Sequence, residues 1–111
     1  MINYPQERLD TVFSALSDPT RRAILQRLTR GEATVTQVAA PFETSLPAIS
    51  KHLKVLEGAG LIARRREGRT HYLRLVATPL QDAAEWLNTY RWFWESQFDS
   101  LAQFLDEGGD E

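Results

Sequence analysis

The sequence predicts a mainly helical α+β fold: four helices, a two-stranded hairpin and a long closing helix, in the order α-α-α-α-β-β-α. Three observations lead there. Apolar residues recur every three or four positions over most of the 111 residues, the period of a helix that buries one face. After Gly60 the period drops to two for a pair of short runs on either side of Gly68. Hydrophobic residues make up 42% and charged residues 25%, a globular mixture of a length suited to one domain over residues 1–111.

Each element has a local cause. Leu9, Val12, Phe13 and Leu16 set the apolar face of a first helix from about Pro5 to Ala15. Asp18 before Pro19 caps a second helix, because proline's missing N–H is not needed in a first turn. Ile24, Leu25 and Leu28 face inward, and Gly31 ends the helix. A short third helix runs from about Thr36 to Ala40, with Thr34 or Thr36 as its cap and Pro41 limiting its length. Ser45 caps the fourth helix, Ile49, Leu53 and Leu56 form its buried stripe, and Gly58 and Gly60 end it. Residues 61–66 and 70–75 read as strands joined at Glu67-Gly68-Arg69. Pro79 opens the last helix, whose apolar spacing persists to about Leu105; the tail from Asp106 to Glu111 is expected to fray.

Composition excludes whole classes. The absence of cysteine removes disulfides, thiolate metal sites and cysteine nucleophiles. No apolar run approaches a membrane span and no secretory signal is visible, so a cytoplasmic location is the expectation. No nucleophile elbow, phosphate loop or paired-carboxylate arrangement suggests an enzyme. The net charge of −2 hides a segregation: residues 45–75 carry seven basic and two acidic groups, and residues 76–111 carry one basic and eight acidic. The basic middle is the footprint expected for a polyanion, and the acidic end must lie away from it.

The basic middle coincides with a helix-turn-helix at about 34–57 and a wing at about 61–76. In such an arrangement the second helix enters the DNA major groove, where base edges display distinct donor and acceptor patterns. With Leu53 and Leu56 inward, Ser45, Leu46, Pro47, Ser50, Lys51 and Lys54 are left near the outward face, with Thr44 in the turn before it. Ser50, Lys51 and Lys54 suit base edges or phosphates; Thr44, Leu46 and Pro47 suit a thymine methyl group. In the wing, Arg64, Arg66 and Arg69 are candidates for phosphates or a minor groove, and Thr70 and His71 add hydrogen-bonding capacity. Strand alternation allows at most two of Arg64-Arg65-Arg66 to face DNA together. Arg21 and Arg22 read equally well as phosphate contacts or surface groups, and His52, beside the buried stripe, reads as structural.

Taken together, ALSDPTRRAILQRL (15–28), SLPAISKHLKVLEGAGLIARRREGRTHYLRL (45–75) and the helix beginning at Pro79 resemble the ArsR/SmtB family of winged helix-turn-helix repressors over about residues 8–105. The resemblance implies a homodimer that binds double-stranded DNA through the helix starting at Ser45. It is similar to a cysteine-free branch with an aromatic segment at Tyr90-Arg91-Trp92-Phe93-Trp94. The thiolate metal site of many relatives has no counterpart here, and Asp82, Glu85 and Glu95 read as a solvated acidic face, so no metal or other cofactor is expected.

Dimerisation also follows from the residues. Leu9, Val12 and Phe13, with Leu87, Tyr90, Trp94, Phe98 and Leu101 on the closing helix at about 79–105, exceed the needs of one small core. The same aromatic layer offers room for a small apolar effector, although no inducer follows from the residues. Two rival readings share the fold: a winged-helix protein-interaction module, and an activator in place of a repressor.

Overall fold

A computed structural model describes residues 6–108 of the chain. Its elements are α1 (Gln6–Leu16), α2 (Pro19–Leu28), β1 (Ala33–Thr34), α3 (Val35–Ala39), α4 (Leu46–Gly58), β2 (Ile62–Glu67), β3 (Thr70–Leu75), α5 (Thr78–Asn88) and α6 (Arg91–Asp106). Pro5 and residues 109–111, expected to open the first helix and to fray, lie outside the described residues.

The fold is the expected winged helix-turn-helix, but the expected order α-α-α-α-β-β-α is corrected at two points. First, a two-residue strand, β1, precedes α3 and pairs antiparallel with β3, Ala33 with Leu73 and Thr34 with Tyr72. Gly31, at φ +125°, turns the chain out of α2 and into this extended path. The wing is therefore two strands of a three-stranded sheet ordered β1-β3-β2. Second, the closing helix is broken between Asn88 and Arg91. There the Thr89 hydroxyl donates to the Trp86 carbonyl (2.7 Å), and the Thr89 and Tyr90 amides donate to Trp86 and Leu87, three residues back. These tighter bonds over three indifferent helix formers leave Tyr90 at φ −102°, ψ 0°, and a new helix starts.

The helix starts follow the sequence closely. Asp18 accepts from the Arg21 amide, and Ser45 from the Ala48 amide (3.3 Å). Thr34, not Thr36, caps α3, in a reciprocal box with Gln37. The core is one cluster in which Ile24, Ile49, Leu53, Leu56, Leu61 and Leu73 are wholly buried, joining α2, α4 and the base of the wing. α5 closes it by burying Ala83 and packing on α1. No residue of α6 is buried.

Candidate nucleic-acid interface

α4 is amphipathic in the sense a groove-reading helix requires. Ile49, Leu53 and Leu56 are fully buried beneath it. On its other side Lys51 and Lys54 are exposed, as are Thr44, Ser45, Leu46 and Pro47 at its start, and Ser50 is half-buried. Leu46 is 55% exposed, which leaves an apolar side chain in water at the tip of the helix. The two lysines have no hydrogen-bond or ion-pair partner among the described residues.

The wing stands beside α4. Strand pairing sets its faces: Arg64 lies opposite Leu73 and Arg66 opposite His71, on the side that continues into the core. Arg65 lies opposite Tyr72 on the other side. Gly68, at φ +64°, makes the two-residue turn between Glu67 and Thr70 without strain.

The arginines differ sharply in their partners. Arg64 grips Glu57 at the end of α4 with two bonds, Nη2 to Oε1 at 2.8 Å and Nε to Oε2 at 3.3 Å. Arg65 donates to Glu32 (2.8 and 3.5 Å) and Glu67 (2.6 Å), and its guanidinium carbon lies 4.3 Å from the centre of the Tyr72 ring. Those two carboxylates hold Arg65 firmly protonated, and the Arg65 hydrogen bond holds Glu32 below the usual carboxylate range. Arg66 uses only its Nε, on the Gly68 carbonyl (2.8 Å), and Arg69 has no partner among the described residues. Arg69, Thr70 and His71 line a cleft of about 210 Å³ between the wing and Thr34–Thr36 at the start of α3, and Arg64 also lines it. The buried His71 Nδ1 has no protein partner there.

A second cluster sets the angle of α4. Arg21 donates to the carbonyls of Ala15 (2.7 Å) and Ser14 (3.0 Å) at the end of α1. The same guanidinium lies 3.3 Å from His52 Nδ1, and Asp18 lies 3.8 Å from that nitrogen. Arg22 donates to Leu16 (2.7 Å). Both arginines thus satisfy helix-end carbonyls of α1, and His52 is the structural histidine its position suggested.

Comparison with known proteins agrees with this geometry. A helix-turn-helix domain family matches residues 16–65. The chain is 43% identical to the transcriptional repressor SdpR of Bacillus subtilis over 79 residues, covering 71% of this chain and 88% of SdpR. It is 37% identical to the HTH-type transcriptional regulator Rv2034 of Mycobacterium tuberculosis over 102 residues, 92% of each chain. The crystal structure of the ArsR family transcriptional regulator RHA00566 superposes with a TM-score of 0.78 at 43% identity, covering 86% of this chain and 98% of that one. The chain belongs to the ArsR/SmtB family. It is a sequence-specific DNA-binding transcriptional regulator.

ArsR/SmtB regulators act on DNA as homodimers, and here the residues expected at that contact divide. Leu9 and Val12 are buried within the chain's own core. Phe13 packs edge-on against Trp86 at 5.7 Å, and Trp86 against Tyr90 at 5.3 Å. Leu87, Tyr90, Trp94, Phe98 and Leu101 are all more than 40% exposed, and so are Trp92, Phe93, Phe104 and Leu105 on the same arm. Of the carboxylates on this arm, Asp82 faces Arg8 at 3.8 Å and Glu95 binds Arg91 at 2.9 Å. Among the described residues no three His, Asp or Glu side chains cluster as a metal site would require. Sequence reasoning missed Glu32, Glu57 and Tyr72 as partners of the wing arginines. The turn expected at Glu67-Gly68-Arg69 would pair Arg66 with Thr70; Glu67 instead belongs to β2 and pairs with Thr70, and this one-residue shift sets Arg65 opposite Tyr72.

Proposed function

We propose that this ArsR/SmtB regulator is a homodimeric repressor that blocks a promoter by binding a palindromic operator, the whole chain acting as one winged helix-turn-helix domain. In this reading α4 enters the major groove with Ser50, Lys51 and Lys54 toward bases and phosphates. Thr44, Leu46 and Pro47 contact thymine methyl groups, and Ser45 brings the helix start to a phosphate. The wing adds Arg66, Arg69, Thr70 and His71 on the flanking backbone or minor groove. The exposed apolar edge of α5 and α6, about Leu87 to Leu101, meets its copy and sets two recognition helices one turn of DNA apart, about 34–36 Å.

One observation carries the reading: among the described residues, α4 presents a basic edge without partners beside a wing whose tip carries an arginine without a partner. An interaction module with the same fold would place acidic or apolar residues there. The test is selection of duplexes from a random pool by the purified protein, followed by competition with scrambled DNA at two salt concentrations. A palindromic consensus that survives added salt is expected. Binding that shows no sequence preference and vanishes with salt would refute it.

A further inference from the structure

The wing carries five arginines; four of them, Arg64, Arg65, Arg66 and Arg69, fall within six residues at its tip, and these four are not equivalent. Arg64 is held by Glu57, a carboxylate on α4 itself. Arg65 has an acceptor on each of its three nitrogens, Glu32 from the α2–β1 loop and Glu67 from its own strand, and lies over the face of Tyr72. Arg66 keeps both Nη groups free of any acceptor among the described residues, and Arg69 keeps its whole guanidinium free.

This difference decides what each group contributes to a polyanion surface. To bind a phosphate, Arg64 or Arg65 must give up a bidentate or doubly bridged carboxylate. The abandoned carboxylate then stands beside the phosphate as a like charge, so the exchange neutralises nothing in sum and releases no additional counterion. A partnerless arginine neutralises a phosphate outright.

We infer that these four arginines divide into two struts and two readers. Arg64 locks the wing to the end of the recognition helix through Glu57, Arg65 locks it to the α2–β1 loop through Glu32, and Arg66 and Arg69 are the wing's phosphate contacts. Arg64 and Arg65 are thus positioning residues. They fix where the hairpin tip falls relative to α4, and hence which phosphates Arg66 and Arg69 reach. This assignment rests on the DNA-binding reading above and removes Arg64 from the contacts the sequence suggested.

The test is the salt dependence of duplex binding by the full-length protein, measured by fluorescence anisotropy on the selected operator and on a mixed-sequence duplex. Each substitution removes one phosphate contact per protomer, two per dimer, which lowers the slope of log K against log salt by about 1.8 and shrinks the affinity loss between 50 and 200 mM about twelvefold. Arg66→Gln and Arg69→Gln should each show that drop. The charge swap Glu57→Arg with Arg64→Glu keeps both the net charge and the strut, and should keep the wild-type slope. Glu32→Arg with Arg65→Glu should do the same. Should a swap fail to fold by circular dichroism, Arg64→Gln and Arg65→Gln serve in its place; each should weaken binding at unchanged slope. A slope that falls as far in the Arg64 or Arg65 variants as in Arg69→Gln overturns the division, as does an unchanged slope in Arg66→Gln or Arg69→Gln. A wild-type protein that binds neither duplex overturns the DNA reading itself, and this division with it.

Discussion

Asp18 shows how much one side chain does at the corner between α1 and α2. It caps α2 through the Arg21 amide at 3.1 Å and lies 3.8 Å from His52 on α4. The Arg21 amide is the main cause that holds its carboxyl below the usual range; the His52 and Arg21 charges and the Thr20 amide act the same way, and partial burial opposes them. A carboxyl whose folded pKa is depressed adds stability above its unfolded pKa, near 3.8, and loses it as pH falls through the lower folded value. Asn can still cap but carries no charge, and Ala can do neither. Urea midpoints at pH 7 should therefore rank wild type above Asp18→Asn, and Asp18→Asn above Asp18→Ala. The gap between wild type and Asp18→Asn should close as pH drops below about 4. A gap that is constant from pH 7 to pH 2 would mean the charge contributes nothing at this corner. Arg21, which the sequence left evenly balanced, belongs to the same corner, because its guanidinium is already occupied by two carbonyls and a histidine.

At the scale of elements, α4 must be rigid to read a groove, and its rigidity comes from Ile49, Leu53 and Leu56. Leu53 is 0% exposed in the middle of that stripe. Leu53→Ala should cost about 2–5 kcal/mol in chemical denaturation, the range for a large-to-small change in a packed core. Lys54→Ala, one residue on and exposed, should leave the midpoint nearly unchanged. Equal costs would mean that α4 is turned the other way. This orientation was legible beforehand, because buried stripe, Ser45 cap and terminal glycines agree on one helix in one rotation. Asp18-Pro19 and the change of period after Gly60 were legible for the same reason. β1 was not, since two residues carry no period and pair only because β3 lies within reach. The break at Thr89 was hidden differently: apolar spacing runs through it without a proline or glycine, so periodicity registers one helix where hydrogen bonding makes two. The Arg65–Glu32 strut was invisible because the two residues stand 33 apart, and the Arg64–Glu57 strut because its partners, seven apart, lie on different elements.

At the scale of the whole molecule, the break gives α6 its own direction. The chain measures 68 × 35 × 21 Å with a radius of gyration of 19.1 Å, against about 13 Å for a compact domain of this length. The excess is an aromatic arm that its own chain leaves uncovered: Phe98 is 67% exposed and Leu101 53%. Such surface is costly in water and is covered most simply by a second copy. Phe98→Glu with Leu101→Glu tests this directly. Neither side chain is buried in the protomer, so circular dichroism at 25 °C should show the winged core still folded, with a melting temperature lowered only by what the dimer contact adds. Sedimentation should shift from dimer to monomer. Lys51, Lys54, Arg66 and Arg69 give four reading cations per protomer. Two protomers should then bind operator with a salt slope near −7 and the double variant with one near −3.6, at about 0.9 per contact. A variant that remains dimeric, or a monomer that keeps the full slope, would place the dimer contact elsewhere on the molecule.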